Sequence, residues 1–390
     1  MKVVHLNTYT KGGAAIASIR LHRALKQSGI DSTFISLYKD GEMEDSIVDF
    51  RDAFNPFSAL YYKAKNYLNQ QKVKTIIQSK GEWFSRPDTV WKIKNHPLIR
   101  SADVIHFHWV SGFLNVEELP QLNGKKLVWT LHDEFPFSGG FHYPPMADAL
   151  DLSDLILRQK NQISTALLKT DIQFITPSQV LANKVTESNW IRKTPVQVIK
   201  NPVPYHEFRI TENLDFKSNL NIKNDQPVFL FIADQVNYAR KGFHVLREAL
   251  ALVDVPSTTI VVGKGNVPKS INKSEIIQLG EINSTEMLNQ IYNTCDFLLN
   301  PGLNDIASNT IVEAGLCGKP VVCTPVPAYL ELMNEQTGVF ASEFSGPAFA
   351  IAIERALQMN FDGNIIRQHY LRFHSPEVIA REYNRMYQEW

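Results

Sequence analysis

The densest run of polar and ionisable side chains in this sequence is Asn304-Asp305-Ile306-Ala307-Ser308-Asn309-Thr310, followed by an apolar stretch that carries Glu313 and closes at Gly318. Ser308 or Asn309 suits an N-cap and Gly318 a stop, so the spacing predicts a loop, a helix and a strand from Val321 to Thr324. A helix start offers unpaired N–H groups and a partial positive charge, which suit a phosphate. Two carboxylates beside it, Asp305 and Glu313, can accept from hydroxyl groups. A capping Asp305 and a satisfied buried Glu313 would give the same pattern.

A second group is Arg240-Lys241-Gly242-Phe243. Two cations at a strand-to-helix junction can clamp a diphosphate, Arg by its planar fork and Lys as a point charge, although such a pair is also common in solvated loops. The third group is Trp129-Thr130-Leu131-His132-Asp133, with Gly139-Gly140 downstream. An imidazole just past a strand end faces the ligand side of a parallel sheet, or serves structure alone. His106-Phe107-His108 puts two imidazoles on one face of a strand. That spacing also begins some metal-dependent hydrolase sites, but no Cys or carboxylate at ligand spacing completes one, and no metal is expected. Gly12-Gly13 permits close backbone approach to a ligand. Gly263-Lys264-Gly265 follows a strand, but Pro268 holds the third glycine position of a dinucleotide fingerprint, so a nicotinamide reading is poor.

The elements that would carry these groups are short Val-, Ile- and Phe-rich runs alternating with stretches of helical period, the pattern of α/β sheets covered on both faces. Expected strands in the first half are Val3 to Leu6, Ser32 to Leu37, Val104 to Phe107, Leu127 to Leu131 and Phe174 to Thr176. Those in the second are Val228 to Ala233, Ile260 to Val262, Ile276 to Leu279, Phe297 to Asn300 and Val321 to Thr324. Asn201-Pro202-Val203-Pro204 reads as an extended linker. The expectation is two doubly wound, Rossmann-like domains, 1–202 and 203–375, with a C-terminal helix 376–390 packing back on the first. Ligands would then lie at the carboxyl ends of the strands, facing a central cleft.

With 390 residues, 44% hydrophobic and 21% charged, the chain has the composition of a globular protein of about two domains. Its 40 basic and 40 acidic residues argue against a bulk nucleic-acid binder. The balance hides a local excess, since residues 51–100 hold 10 basic and 3 acidic residues. Within 55–91, an insertion expected to be helical, Lys63, Lys65, Lys72, Lys74 and Lys80 lie among Phe57, Leu60, Tyr61, Tyr62 and Tyr67. This mixture suits either an anionic membrane surface or a solvated helical face. Cys295, Cys317 and Cys323 read as buried thiols, and no apolar run approaches the ~20 residues of a membrane span, so a cytoplasmic protein with at most peripheral membrane contact is expected.

In order along the chain, Gly12-Gly13-Ala14, Ile105-His106-Phe107-His108-Trp109, Trp129 to Asp133, Thr176-Pro177-Ser178, Val198 to Pro202, Arg240-Lys241-Gly242, Val261 to Gly265 and Asp305 to Val322 resemble the group 1 family of retaining glycosyltransferases. The likeness is greatest to bacterial enzymes of exopolysaccharide, capsule and O-antigen assembly. The resemblance implies the GT-B fold and a metal-independent transferase with no cofactor beyond its co-substrate, a nucleotide-diphosphate sugar, most often a UDP-sugar. It implies that Asp305 and Glu313 bind the donor sugar and ribose, that Arg240, Lys241 and Gly13 address the diphosphate, and that His132 lies against the sugar. Gly263, Ile306, Ala307, Ser308, Asn309 and Thr310 complete the donor site, with His132, Asp305 and Lys241 as catalytic groups. Gly12, His108 and Asp133 fall on the side of a glycan or lipid-linked acceptor. The chain departs from the family in having Asp305 where Glu is usual, and Thr324-Pro325 and Pro327-Ala328 after the Val321-Val322 strand. The rival expectation is a non-catalytic nucleotide-sugar-binding protein, or a subunit of a transferase complex.

Overall fold

The computed structural model describes the chain apart from residues 55–66, 68–70, 72, 146, 189, 192–195, 213, 224 and 390, and the side chains of 214 and 215. It divides into two compact units, Met1–Asn201 with Ile379–Trp390, and Pro202–Val378.

The first unit is built on β1 (Lys2–Tyr9), β2 (Asp31–Tyr38), β3 (Ile47–Asp49), β4 (Val104–Phe107), β5 (Lys126–Thr130), β6 (Gln173–Thr176) and β7 (Val196–Val198), ordered 3-2-1-4-5-6-7 and parallel throughout. This is the doubly wound order, which reverses direction beside β1 and β4. Both faces are covered, which is why β4 and β6 are buried at every position and read as continuous apolar runs rather than alternating ones. Helix Gly13–Gln27 follows β1 directly and buries Ala17, Leu21, Ala24 and Leu25 at helical spacing.

The final helix, Pro376–Glu389, supplies the first unit with Ile379, Tyr383 and Tyr387, spaced four apart and packed with Val3, Leu25, Val104, Val128 and Ile175. Lys126 Nζ donates to the Tyr387 carbonyl at 2.7 Å. The Tyr387 side chain is fully buried. Replacing it by Ala should destabilise the first unit by about 3–5 kcal/mol, the usual cost of emptying a buried aromatic site. Tryptophan fluorescence reads this unit alone, because all six tryptophans, at 83, 91, 109, 129, 190 and 390, belong to it.

The second unit repeats the plan with β8 (Val228–Gln235), β9 (Ser257–Lys264), β10 (Ser270–Ile271), β11 (Ser274–Gly280), β12 (Phe297–Asn300), β13 (Val321–Cys323) and β14 (Gly338–Phe340), ordered 10-11-9-8-12-13-14. All neighbours are parallel except the β10–β11 edge pair. One apolar cluster lies on each face of the sheet. Cys295, Cys317 and Cys323 are free thiols buried in the first of these, and burial pushes the Cys317 thiol up to about 12, leaving it unreactive at neutral pH.

Part of the segment 55–91, Lys63, Lys65 and Lys72 included, lies outside the described residues, while 73–80 is helical. Lys80 is not available to a partner surface. Its Nζ donates to the Asp148 carbonyl at 2.6 Å and pairs with Asp151 at 2.5 Å. No described helix is long and apolar enough to cross a membrane.

Candidate functional site

In the second unit the expected donor groups gather at the carboxyl ends of β8 and β12. Arg240 and Lys241 occupy a short turn, Ala239–Lys241, that ends in left-handed Gly242 (φ 76°) and enters helix Phe243–Leu252. A Cβ at Gly242 would lie 1.8 Å from the Pro301 carbonyl oxygen, so only glycine lets this turn lie against the loop after β12. The Leu303 N–H closes that contact on the Arg240 carbonyl at 2.8 Å. The result sets Lys241 Nζ 3.9 Å from Asp305 Oδ2, with both side chains partly exposed.

Asp305 does not cap the following helix. Its Oδ1 accepts from the Ile306 N–H at 2.8 Å, and the Tyr329 hydroxyl lies 3.3 Å from both Asp305 Oδ2 and Asn300 Oδ1. Burial first, and Asp305 second, push the Tyr329 phenol well up, so it remains a donor. Helix Asn309–Leu316 begins at Ser308, whose hydroxyl turns to Thr310 (3.0 Å) and Asn300 (3.3 Å) rather than to the helix N–H groups. The helix start therefore has no side-chain cap, the condition under which it can take an anion. Ile306 is buried and reaches the site only through its backbone, while Ala307, Asn309 and Thr310 are partly exposed. Glu313 is buried one turn into the helix, and its Oε2 accepts from the Tyr292 hydroxyl at 2.8 Å. Gly263 is explained by packing. Its φ is 134°, and a Cβ there would lie 1.7 Å from the Ala233 carbonyl oxygen.

In the first unit, Gly12 (φ 93°) and Gly13 open the first helix, and a Cβ at either would meet nothing within 4 Å, so the turn borders open space. Behind it stands a column of imidazoles. His5 Nδ1 meets His108 Nε2 at 2.9 Å, and His108 Nδ1 meets His132 Nε2 at 3.3 Å. His106 is held by the hydroxyls of Tyr387 (2.6 Å) and Thr130 (2.7 Å). Burial pushes His5, His106 and His108 far down and His132 down to about 4, so all four are neutral at neutral pH. His5, His106 and His108 each bring a ring nitrogen within 4.8 Å of the others.

Two of the acceptor-side residues are buried and engaged by neighbouring side chains. His108 is buried with both ring nitrogens engaged, by His5 and by His132. Asp133 is buried too, bonded to His142 Nδ1 and to the Phe135 N–H at 3.0 Å, while His142 Nε2 meets Ser85 Oγ at 2.6 Å. His108, Trp109, Ser111, His132, Asp133 and His142 are among the residues that line one small cavity.

Residues 11–207 match the family model described as Glycosyltransferase Family 4, and residues 226–359 match that described as Glycosyl transferases group 1. The chain belongs to Glycosyltransferase Family 4. A putative colanic acid biosynthesis glycosyl transferase, WcaC, of Escherichia coli is 22% identical over 393 residues, covering 88% of each chain. An uncharacterized glycosyltransferase of Methanocaldococcus jannaschii is 21% identical over 271 residues, covering 65% of this chain and 66% of the relative. Among solved structures, the sucrose-phosphate synthase of Thermosynechococcus elongatus superposes with a TM-score of 0.70 at 17% identity, covering 100% of this chain and 99% of that one. HepE of Anabaena, solved with UDP and glucose, gives 0.70 at 17% identity over 100% of both chains. The two-unit α/β architecture of this glycosyltransferase is thus that of the GT-B enzymes.

Sequence reasoning missed Tyr329, Asn300, Tyr292, His5, His142 and Ser85. Tyr329 sits in the short helix Pro327–Leu330, where the sequence leaves the family pattern, and that departure was the only signal for it. Tyr329→Phe in the glycosyltransferase should cost about 1 kcal/mol of stability and lower transfer roughly tenfold by freeing the Asp305 carboxylate, to be checked by melting and steady-state kinetics.

The neutral buried imidazoles also set an acid limit on the first unit. His22, fully buried between Ser32 Oγ (2.8 Å) and Ser46 Oγ (3.1 Å), is pushed by burial from 6.5 down to about 4. Above the unfolded value both states are neutral and nothing changes with pH. Between the two values the unfolded chain binds a proton that the folded chain does not, so stability falls as pH falls, at ~1.4 kcal/mol per pH unit and by about 3 kcal/mol in all. Denaturant midpoints read by tryptophan emission across this window check the slope.

Proposed function

We propose that this glycosyltransferase moves a sugar, with retention of anomeric configuration, from a nucleotide-diphosphate sugar to a glycan or lipid-linked acceptor in bacterial surface polysaccharide synthesis. The observation that carries this reading is the Lys241–Asp305 pair beside the uncapped start of helix Asn309–Leu316. Cation and helix start suit a diphosphate, and the carboxylate suits a sugar hydroxyl. The UDP in the HepE structure favours a UDP-sugar, and the name of the WcaC relative favours a polysaccharide.

In the reaction, the bond between the anomeric carbon and the diphosphate oxygen breaks, and the acceptor oxygen bonds to the same face of that carbon. The acceptor proton passes to the departing diphosphate. Arg240, Lys241 and the helix N–H groups stabilise the charge that develops there, so the scheme draws on protein cations rather than on a divalent metal. Asp305 holds hydroxyls of the donor sugar, Glu313 the ribose, and Gly263 and the backbone of 306–310 the rest of the donor. In the first unit His132 contacts the sugar, and the Gly12-Gly13 turn receives diphosphate and acceptor.

Nucleotide release from a panel of UDP-, GDP- and ADP-sugars, with thermal stabilisation by UDP, tests the reading. Release from none of them, with no stabilisation, sinks it. The basic excess of residues 51–100 supports a peripheral contact with an anionic membrane, where lipid-linked acceptors reside. Salt-insensitive failure to sediment with phosphatidylglycerol vesicles removes that part alone.

A further inference from the structure

His5, His108 and His132 form a line of imidazoles running from the core of the first unit to a member with exposed surface. His5 is fully buried, and its Nε2 has no hydrogen-bond partner. His132 is only half-buried, and among the described residues no hydrogen bond reaches its Nδ1. Each neutral ring carries one proton shared between two nitrogens. Each of the two nitrogen-to-nitrogen contacts needs one proton and no more.

Only two arrangements satisfy both contacts. In the first, all three rings are protonated on Nδ1; His5 donates to His108, and His108 donates to His132. In the second, all three are protonated on Nε2 and every bond reverses. The second leaves an N–H at His5 Nε2, where nothing accepts it. Orphaned buried N–H groups are rarer in folded proteins than under-satisfied acceptors. The first leaves only a bare lone pair in the core and moves the free N–H to His132.

We infer that His5 and His108 are positioning residues that lock His132 in the Nδ1–H tautomer, so that it meets its ligand as a hydrogen-bond donor and not as a base. A free imidazole favours the Nε2–H form, so the line reverses the intrinsic preference. This rests on the proposed contact of His132 with a sugar: a donor there takes the lone pair of a sugar hydroxyl and leaves proton removal to the departing diphosphate.

The test is a long-range proton–nitrogen correlation spectrum of the 15N-labelled full chain at neutral pH. His132 is assigned by the peaks that vanish in His132→Gln. The expected result is a protonated Nδ1 and a bare Nε2 on His132 and His5. A proton on His132 Nε2 overturns the lock. So does one equivalent of tightly bound zinc, since His5, His106 and His108 also lie close enough to share an ion, and ligated nitrogens could not pass the line's protons. In kinetics, His108→Leu should lower kcat/KM about tenfold, the usual worth of one such bond. His108→Asn, which returns an amide donor near the position of Nδ1, should restore most of that loss. Equal activities in the two variants refute a positioning role. The spectrum needs no substrate, so it stands apart from the functional reading. If the tautomer holds while His132→Gln leaves turnover unchanged, the sugar contact falls and the lock survives.

Discussion

Lys241→Ala should lower kcat/KM for nucleotide release by about 10²–10³-fold, the effect of removing one preorganised charge from a departing group. The loss should appear mainly in kcat, because the charge on the diphosphate grows as the glycosidic bond breaks. Stability should change little. The ammonium is partly exposed and its pairing with Asp305 is long at 3.9 Å, which places it among weak surface ion pairs. Lys241→Arg should recover part of the rate, since it keeps the charge but changes its shape. Unchanged turnover in Lys241→Ala would remove the diphosphate assignment, and with it the reading of the second unit as the donor unit.

Gly242→Ala is expected to damage both fold and activity. The residue has φ 76°, and its new Cβ would lie 1.8 Å from the Pro301 carbonyl oxygen. The left-handed backbone costs an alanine about 1 kcal/mol, and the overlap is with main chain, so no rotamer relieves it. Moving the 301–303 loop away breaks the Leu303–Arg240 bond and should bring the total to about 3 kcal/mol or more. The same movement parts Lys241 from Asp305, so turnover should fall alongside. Tryptophan emission is blind to the second unit, and far-ultraviolet circular dichroism is the appropriate probe. A variant with wild-type melting and wild-type rate would show that the turn does not set the pair.

The contrast between these two residues shows what was readable from sequence. Arg240-Lys241-Gly242 announced a strand-to-helix turn with cations, and the stretch from Asp305 to Gly318 announced a loop, a helix and a stop. Both lie as expected, because caps, glycines and apolar period are local signals. The longer strands were legible for the same reason. β3, β7, β10 and β14 were not, being two or three residues each, too short to show a period. What the sequence concealed is contact between distant segments. Nothing around Tyr329 points to Asp305, nothing around Tyr292 points to Glu313, and His5 is an ordinary strand residue until His108 lies beside it. Nor did the sequence show that His108 and Asp133, at motif positions that suit a ligand, are buried and bonded to His5, His132 and His142.

The return of the last helix to the first unit bears on how the protein is made. Domains of a nascent chain usually fold in the order in which they emerge. Here Ile379, Tyr383 and Tyr387 close a core begun by Val3 and Leu25, and the Tyr387 hydroxyl is one of the two that hold His106. On the ribosome, therefore, the first unit to appear is the last to be completed. It must wait, with part of its apolar face uncovered, while the whole of the second unit is synthesised. Any product released before residue 387 leaves His106 without its tyrosine partner.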